Sequence, residues 1–108
     1  DRVGPRLLLS GILYNLKDYD GTIKILLQAQ ALSPKTPLIY KSLAQVYEKI
    51  GDKEKALKNW QKVAELDKGT YDTKFRNKVQ SKIHKLQQKL AKNKSEDKTK
   101  SKKVKEAK

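Results

Sequence analysis

A chain of 108 residues allows one domain with a modest core and leaves no room for two ordinary ones. The absence of cysteine excludes disulfides and thiolate metal sites, and no apolar run approaches the roughly 20 residues of a membrane-crossing helix. The formal net charge of +14 is uneven: residues 1–71 carry 12 Lys/Arg against 8 Asp/Glu, and residues 72–108 carry 14 against 4.

The opening residues do not read as a secretory signal. With no methionine anywhere in the chain, Asp1 is not a translation start, so a leader or lipid-anchored segment upstream is expected to have been processed or omitted. The compartment therefore stays open between the cytoplasm and, reached through such a leader, the bacterial envelope.

The first helix is expected around Pro5 and "RLLLSGIL", and the second opens on Asp18 and Asp20 and stops at Ser33-Pro34. The next pair repeats this. Thr36 is placed to cap, Pro37 stands where a first turn tolerates it, and the helix runs to about Ile50. Gly51 can supply the left-handed residue that ends it. Asp52 and Glu54 then put carboxylates at the positive end of a helix reaching about Leu66. Lys17 stands where Gly51 stands, so the first pair has the less regular turn.

The repeat has a period of 34: Leu9 with Leu43, Ser10 with Ala44, Ile12 with Val46, Leu16 with Ile50, Asp18 with Asp52, Thr22 with Ala56, Leu26 with Trp60, Ala29 with Val63. Small residues align with small ones and apolar with apolar, a packing pattern of paired antiparallel helices. A fifth helix is expected from about Asp72 to Lys92. Phe75, Val79, Ile83, Leu86 and Leu90 line one side of it, and a stripe of Lys74, Lys78, Lys82, Lys85, Lys89 and Lys92 lies about 100° around. Residues 93–108, lysine-rich and without an aromatic, are expected to be disordered.

These residues resemble the tetratricopeptide repeat, whose pattern is Trp-x2-Leu-Gly-x2-Tyr, then Ala-x3-Phe, then Pro, with a period of 34. The second unit reads Tyr40, Leu43, Ala44, Tyr47, Ala56 and Trp60, with Lys68 in the proline slot. The first reads Arg6, Leu9, Ser10, Leu13, Thr22, Leu26 and Pro34, weaker in its opening helix. The resemblance implies an all-α fold: two helix-turn-helix units over residues 3–36 and 37–70 and a C-terminal capping helix over 72–92, a fragment of a right-handed superhelical solenoid. Residues 1–92 would form the repeat domain.

It also implies a non-enzymatic binding scaffold whose first helices line a concave groove for a partner peptide or helix. Carried onto this chain, the groove comprises Leu7, Gly11, Tyr14, Asn15, Leu38, Lys41, Gln45, Glu48 and Lys49. Chaperone-binding members clamp a terminal carboxylate with Lys and Asn. Lys41 fits one clamp slot, but Gln45 and Arg76 stand where asparagines would, so no clamp is expected.

Leu7, Leu8 and Leu9 cannot all face Tyr19, Ile23 and Leu26 of the second helix, so an apolar surface is left for an upstream segment, a second copy in a homodimer or another protein. The lysine stripe and the tail offer an alternative reading, an electrostatic binder of anionic lipid or nucleic acid through residues 74–108. The competing view is a solvated face whose lysine stems cover apolar edges. For catalysis there is little footing. His84 is the one histidine and lacks a carboxylate at helical spacing. Asp20 and Glu54 are accounted for by helix starts and by pairs with Lys24 and Lys58. No metal-ligand cluster or phosphate loop is present, and no cofactor is expected.

Ala44 and Ala56 are expected to let the helices of the second unit approach closely, with Tyr47 and Trp60 filling the space around them. Ala56→Leu should overpack this contact and lower stability by about 1–3 kcal/mol in a denaturant titration; an unchanged midpoint would remove the pairing.

Overall fold

The computed structural model describes residues 2–67, 69 and 72–106, with side chains described as far as Lys92. The described residues form five α-helices and no strand: α1 (Val3–Asn15), α2 (Tyr19–Leu32), α3 (Pro37–Ile50), α4 (Lys53–Leu66) and α5 (Thr73–Glu106). The all-α expectation is met. Moreover, α2 and α4 start and stop 34 residues apart, and α1 and α3 start 34 residues apart.

Each repeated boundary has its own chemistry. The carboxylate of Asp18 accepts the Gly21 N–H at 3.0 Å, and that of Asp52 accepts the Lys55 N–H at 3.2 Å. Both satisfy a donor that the helix start leaves free. Upstream of each cap the chain closes the same double turn. Asp18 N–H donates to Leu13 O and Lys17 N–H to Tyr14 O; 34 residues later Asp52 N–H donates to Tyr47 O and Gly51 N–H to Glu48 O. This 6→1, 5→2 pattern needs a left-handed residue. Gly51 supplies it at φ 84°, and Lys17 adopts it at φ 65° despite its side chain. The sequence irregularity at Lys17 thus leaves the geometry intact and places strain there.

Two local expectations are corrected. Thr36 occupies the N-cap of α3 but makes no side-chain cap; its hydroxyl is instead 2.6 Å from that of Ser33. Pro37, at the first position, removes one of the donors a cap would serve. The pairs Asp20–Lys24 and Glu54–Lys58 are not among the ion pairs of the described residues; such exposed pairs contribute little to hold their side chains together.

Consecutive helices pack in order, α1 on α2, α2 on α3, α3 on α4 and α4 on α5. The core runs through Leu26 and Ala29 of α2, Ile39, Leu43, Ala44, Val46 and Tyr47 of α3, Ala56, Trp60 and Val63 of α4, and Val79, Ile83 and Leu86 of α5. Ala44 and Ala56 are fully buried. Their counterparts Ser10 and Thr22 are buried too, with hydroxyls that donate to Leu7 O and Asp18 O at 2.7 Å, so neither leaves a polar atom unsatisfied. The hydroxyl of Tyr40 donates to Pro34 O at 2.6 Å and ties α3 to the connection before it.

The outer face of α1 differs from that of α3. Pro5, Leu8, Leu9, Ile12 and Leu16 fall within an arc of about 100° and are all exposed. One period later, Ile39, Leu43 and Val46 lie in the core, at most 1% exposed. Leu7, expected in the uncovered set, is half-buried against the core; the exposed set is Leu8, Leu9, Ile12 and Leu16. At 42% and 49% exposure, Leu9 and Ile12 gain only about half of the ~1.5–3 kcal/mol that full burial of each would give.

At the other end, α5 continues to Glu106, past the Lys92 at which the sequence places its end. The stretch contains no Pro or Gly to stop it. The expectation of a disordered tail concerns residues whose side chains lie outside those described, and Ala107 and Lys108 lie outside the described residues altogether.

The two left-handed turns generate opposite expectations for one substitution type. Lys17→Gly should raise stability by about 0.5–1 kcal/mol, and Gly51→Ala should lower it by about 1 kcal/mol. Denaturant midpoints of the two variants check this; a loss of stability in Lys17→Gly would contradict the strain.

Candidate interaction site: a lysine-lined cleft beside α3 and α5

Two contacts between residues 34 apart link α5, packed on α4, to α3. Lys82 Nζ lies 3.2 Å from Glu48 Oε2, and Lys41 Nζ stands 5.1 Å from the centroid of the Phe75 ring. Glu48 also accepts the indole N–H of Trp60 at 2.7 Å through its other oxygen, and Lys82 Nζ sits 5.2 Å from the Trp60 ring centroid. Three helices thus meet at one carboxylate. Trp60 is only 2% exposed, so its N–H needs an acceptor inside the protein. A second ion pair, Arg76 to Asp67 at 2.8 Å, with the Asp67 carboxylate nearly buried, joins the start of α5 to the end of α4.

With α5 fixed in this way, a cleft of ≈ 510 Å³ opens beside it. The walls are Lys78, Lys82, Lys85 and Lys89 of α5 and Lys53 at the start of α4; Ser81, Glu48, Leu86 and Gly51 complete the lining. Among these residues the one carboxylate, Glu48, is already held by Trp60 and Lys82. No ion pair among the described residues involves Lys53, Lys78, Lys85 or Lys89. The cleft is therefore a concave surface with several uncompensated ammonium groups and a small apolar floor at Leu86.

The sequence-predicted residues divide on this geometry. Of the groove set, Glu48 alone lines the cleft, joined there by Lys78, Lys82, Lys85 and Lys89 of the stripe; Lys74 and Lys92 are exposed on α5 outside it. Lys41 is engaged with Phe75. Tyr14 is half-buried with its ring edge-on to Tyr19 at 5.7 Å, so it is less free for a partner than its position on α1 suggests. Gly11, Asn15, Leu38, Gln45 and Lys49 are exposed, and Leu7 is half-buried. Arg76, in a clamp slot, is paired with Asp67.

Sequence reasoning missed Lys53 as a cleft residue, and it did not find the contacts of Glu48 with Trp60 and Lys82. The opposite charges at Glu48 and Lys82, one period apart, were the available signal, together with the rule that a buried tryptophan needs an acceptor. His84 is exposed on α5. Among the described residues no group of three His, Cys, Asp or Glu could hold a metal ion, and no helix is long and apolar enough to cross a membrane.

Removing the shared carboxylate should be more damaging than neutralising it. Glu48→Ala leaves the Trp60 N–H without an acceptor and should cost about 1–3 kcal/mol, whereas Glu48→Gln keeps an acceptor and should cost less than about 1 kcal/mol. Denaturation followed by the fluorescence of Trp60, the single tryptophan, separates the two; equal losses would deny the indole contact its role. No family model matches this chain, and neither does any curated protein.

Proposed function

We propose that this chain is a non-enzymatic interaction scaffold of the tetratricopeptide-repeat type, acting within a multiprotein complex. In this reading α1–α2 and α3–α4 are the two repeat units, and α5 both caps them and takes the place of a third first helix. Together they form a short right-handed solenoid whose first helices α1, α3 and α5 face a partner. The observation that carries the reading is the register of α5 on α3: Glu48–Lys82 and Lys41–Phe75 are both contacts between residues 34 apart. Contacts at one shared spacing are what stacked copies of a single supersecondary unit produce. Binding also suits a surface of exposed lysines and leucines.

Two surfaces serve the scaffold. One is the lysine-lined cleft with the adjoining exposed groove residues Leu38, Gln45 and Lys49. The other is the apolar arc of α1, which would take a partner, an upstream segment or a second copy. A second reading, electrostatic binding of anionic membrane or nucleic acid, is favoured by the exposure of Lys74, Lys78, Lys85, Lys89 and Lys92 on a helix that continues to Glu106.

Ionic strength and the tail separate the two. In the scaffold reading, partners captured by the full chain should persist when every lysine after Lys92 is replaced by glutamine, and should resist added salt. Binding carried by the tail would fall steeply with salt and disappear with that replacement. Complete loss of captured partners in the neutralised-tail variant would sink the scaffold reading.

A further inference from the structure

We infer that the cleft walled by α5 and the start of α4 is a docking site for a short acidic segment of a partner protein, an Asp/Glu-rich stretch with interspersed apolar side chains. This rests on the scaffold reading and gives its partner a chemistry.

The charge argument comes first. Five lysines and one glutamate line the cleft, and that glutamate is already satisfied by Trp60 and Lys82. Lys78, Lys85 and Lys89 are exposed on α5, and Lys53 reaches the same space from α4. From Lys78 to Lys89 the helix rises about 16 Å. Cations on one wall over that distance, with one more on a second helix, complement several carboxylates of a single segment better than one point anion.

Shape then selects among anionic partners. The lysines surround a concave space of ≈ 510 Å³, within the usual range of small binding clefts. A planar bilayer reaches the rim of such a space and leaves its floor untouched. Nucleic acid would find no arginine fork and no available aromatic face in the lining: Trp60 is buried and already lies under Lys82. Base stacking and bidentate phosphate contacts are thus absent from the cleft. A peptide needs neither. Its carboxylates can meet mobile ammonium groups while an apolar side chain rests on Leu86 and the lysine stems. The space beside Gly51 is open, since a Cβ built there meets nothing within 4 Å.

The test uses the full chain and a fluorescein-labelled peptide of alternating Glu and Leu, read by anisotropy, with circular dichroism confirming that each variant is folded. The wild type should bind this peptide and not its Gln-for-Glu analogue. Lys85→Glu with Lys89→Glu should weaken binding at least about tenfold. Lys53→Glu, on a different helix, should weaken it severalfold. Lys74→Glu with Lys92→Glu, the same charge change on α5 outside the cleft, should have little effect. Equal weakening by the two α5 double variants would overturn the site in favour of a diffuse basic helix. So would unchanged binding in Lys53→Glu, or binding to a single-stranded oligonucleotide or to phosphatidylserine vesicles in place of the acidic peptide. Protein partners that remain bound irrespective of Lys53, Lys85 and Lys89 would reject this site and leave the scaffold standing; a wild-type chain that binds neither the acidic peptide nor any protein partner would reject both.

Discussion

Burying the Trp60 indole commits three helices to one arrangement. An indole N–H without an acceptor costs about 1–3 kcal/mol, and the acceptor is the Glu48 carboxylate of α3. A carboxylate drawn into a helix interface is itself costly unless a cation follows it, and Lys82 of α5 follows, reaching both the second oxygen and the ring. Each contact creates the need that the next one meets. The network is half-buried, so its worth lies less in raw ion-pair energy than in selecting one placement of α5, from which the neighbouring cleft follows.

The first unit repeats this frame without its centre. Where α3 has Glu48, α1 has Tyr14, and it makes an edge-on contact with Tyr19 in place of a hydrogen-bonded network. Lys17 takes the left-handed position at a conformational cost that Gly51 avoids. Leu9 and Ile12 remain in solvent where Leu43 and Val46 are covered. These differences act in the same direction: the first hairpin has fewer buried apolar contacts per residue and a strained turn, which places it at the low end of local stability. A helix laid on the α1 arc as α2 lies on α3 would remove most of that deficit.

Much of the architecture was legible because it depends on spacing. The 34-residue period gave the helix pairs, and Asp18, Asp52 and Gly51 marked their turns through capping chemistry that is local and therefore readable. Ala44, Ala56, Tyr47 and Trp60 were readable as core because small and large residues recur at packing positions. The candidate site was less legible, since a cleft depends on which side chains are already engaged. Glu48 has the composition and position of a partner contact, and only the placement of Trp60 and Lys82 reveals that it is in use. Tyr14 is a similar case. Thr36 shows the limit at shorter range: the N-cap position was right, and Ser33 competed for the hydroxyl.

Helical periodicity also explains how a basic wall can be held so definitely. On α5 the core residues Val79, Ile83 and Leu86, and the half-exposed Leu90 in line with them, are each preceded one residue earlier by Lys78, Lys82, Lys85 and Lys89. Rotating the helix enough to withdraw the lysines from the cleft would withdraw Val79, Ile83 and Leu86 from the core, at about 1.5–3 kcal/mol for each side chain lost. The repulsion opposing the array is far weaker, about 0.2–0.5 kcal/mol for each like-charged pair at this spacing, and Glu48 relieves it at Lys82. Apolar burial therefore fixes the basic row against its own repulsion, and Lys78, Lys85 and Lys89 stay unneutralised on one wall without unfolding the helix that carries them. An acidic segment entering the cleft would meet a field already assembled, with little left to reorganise except the lysine side chains themselves.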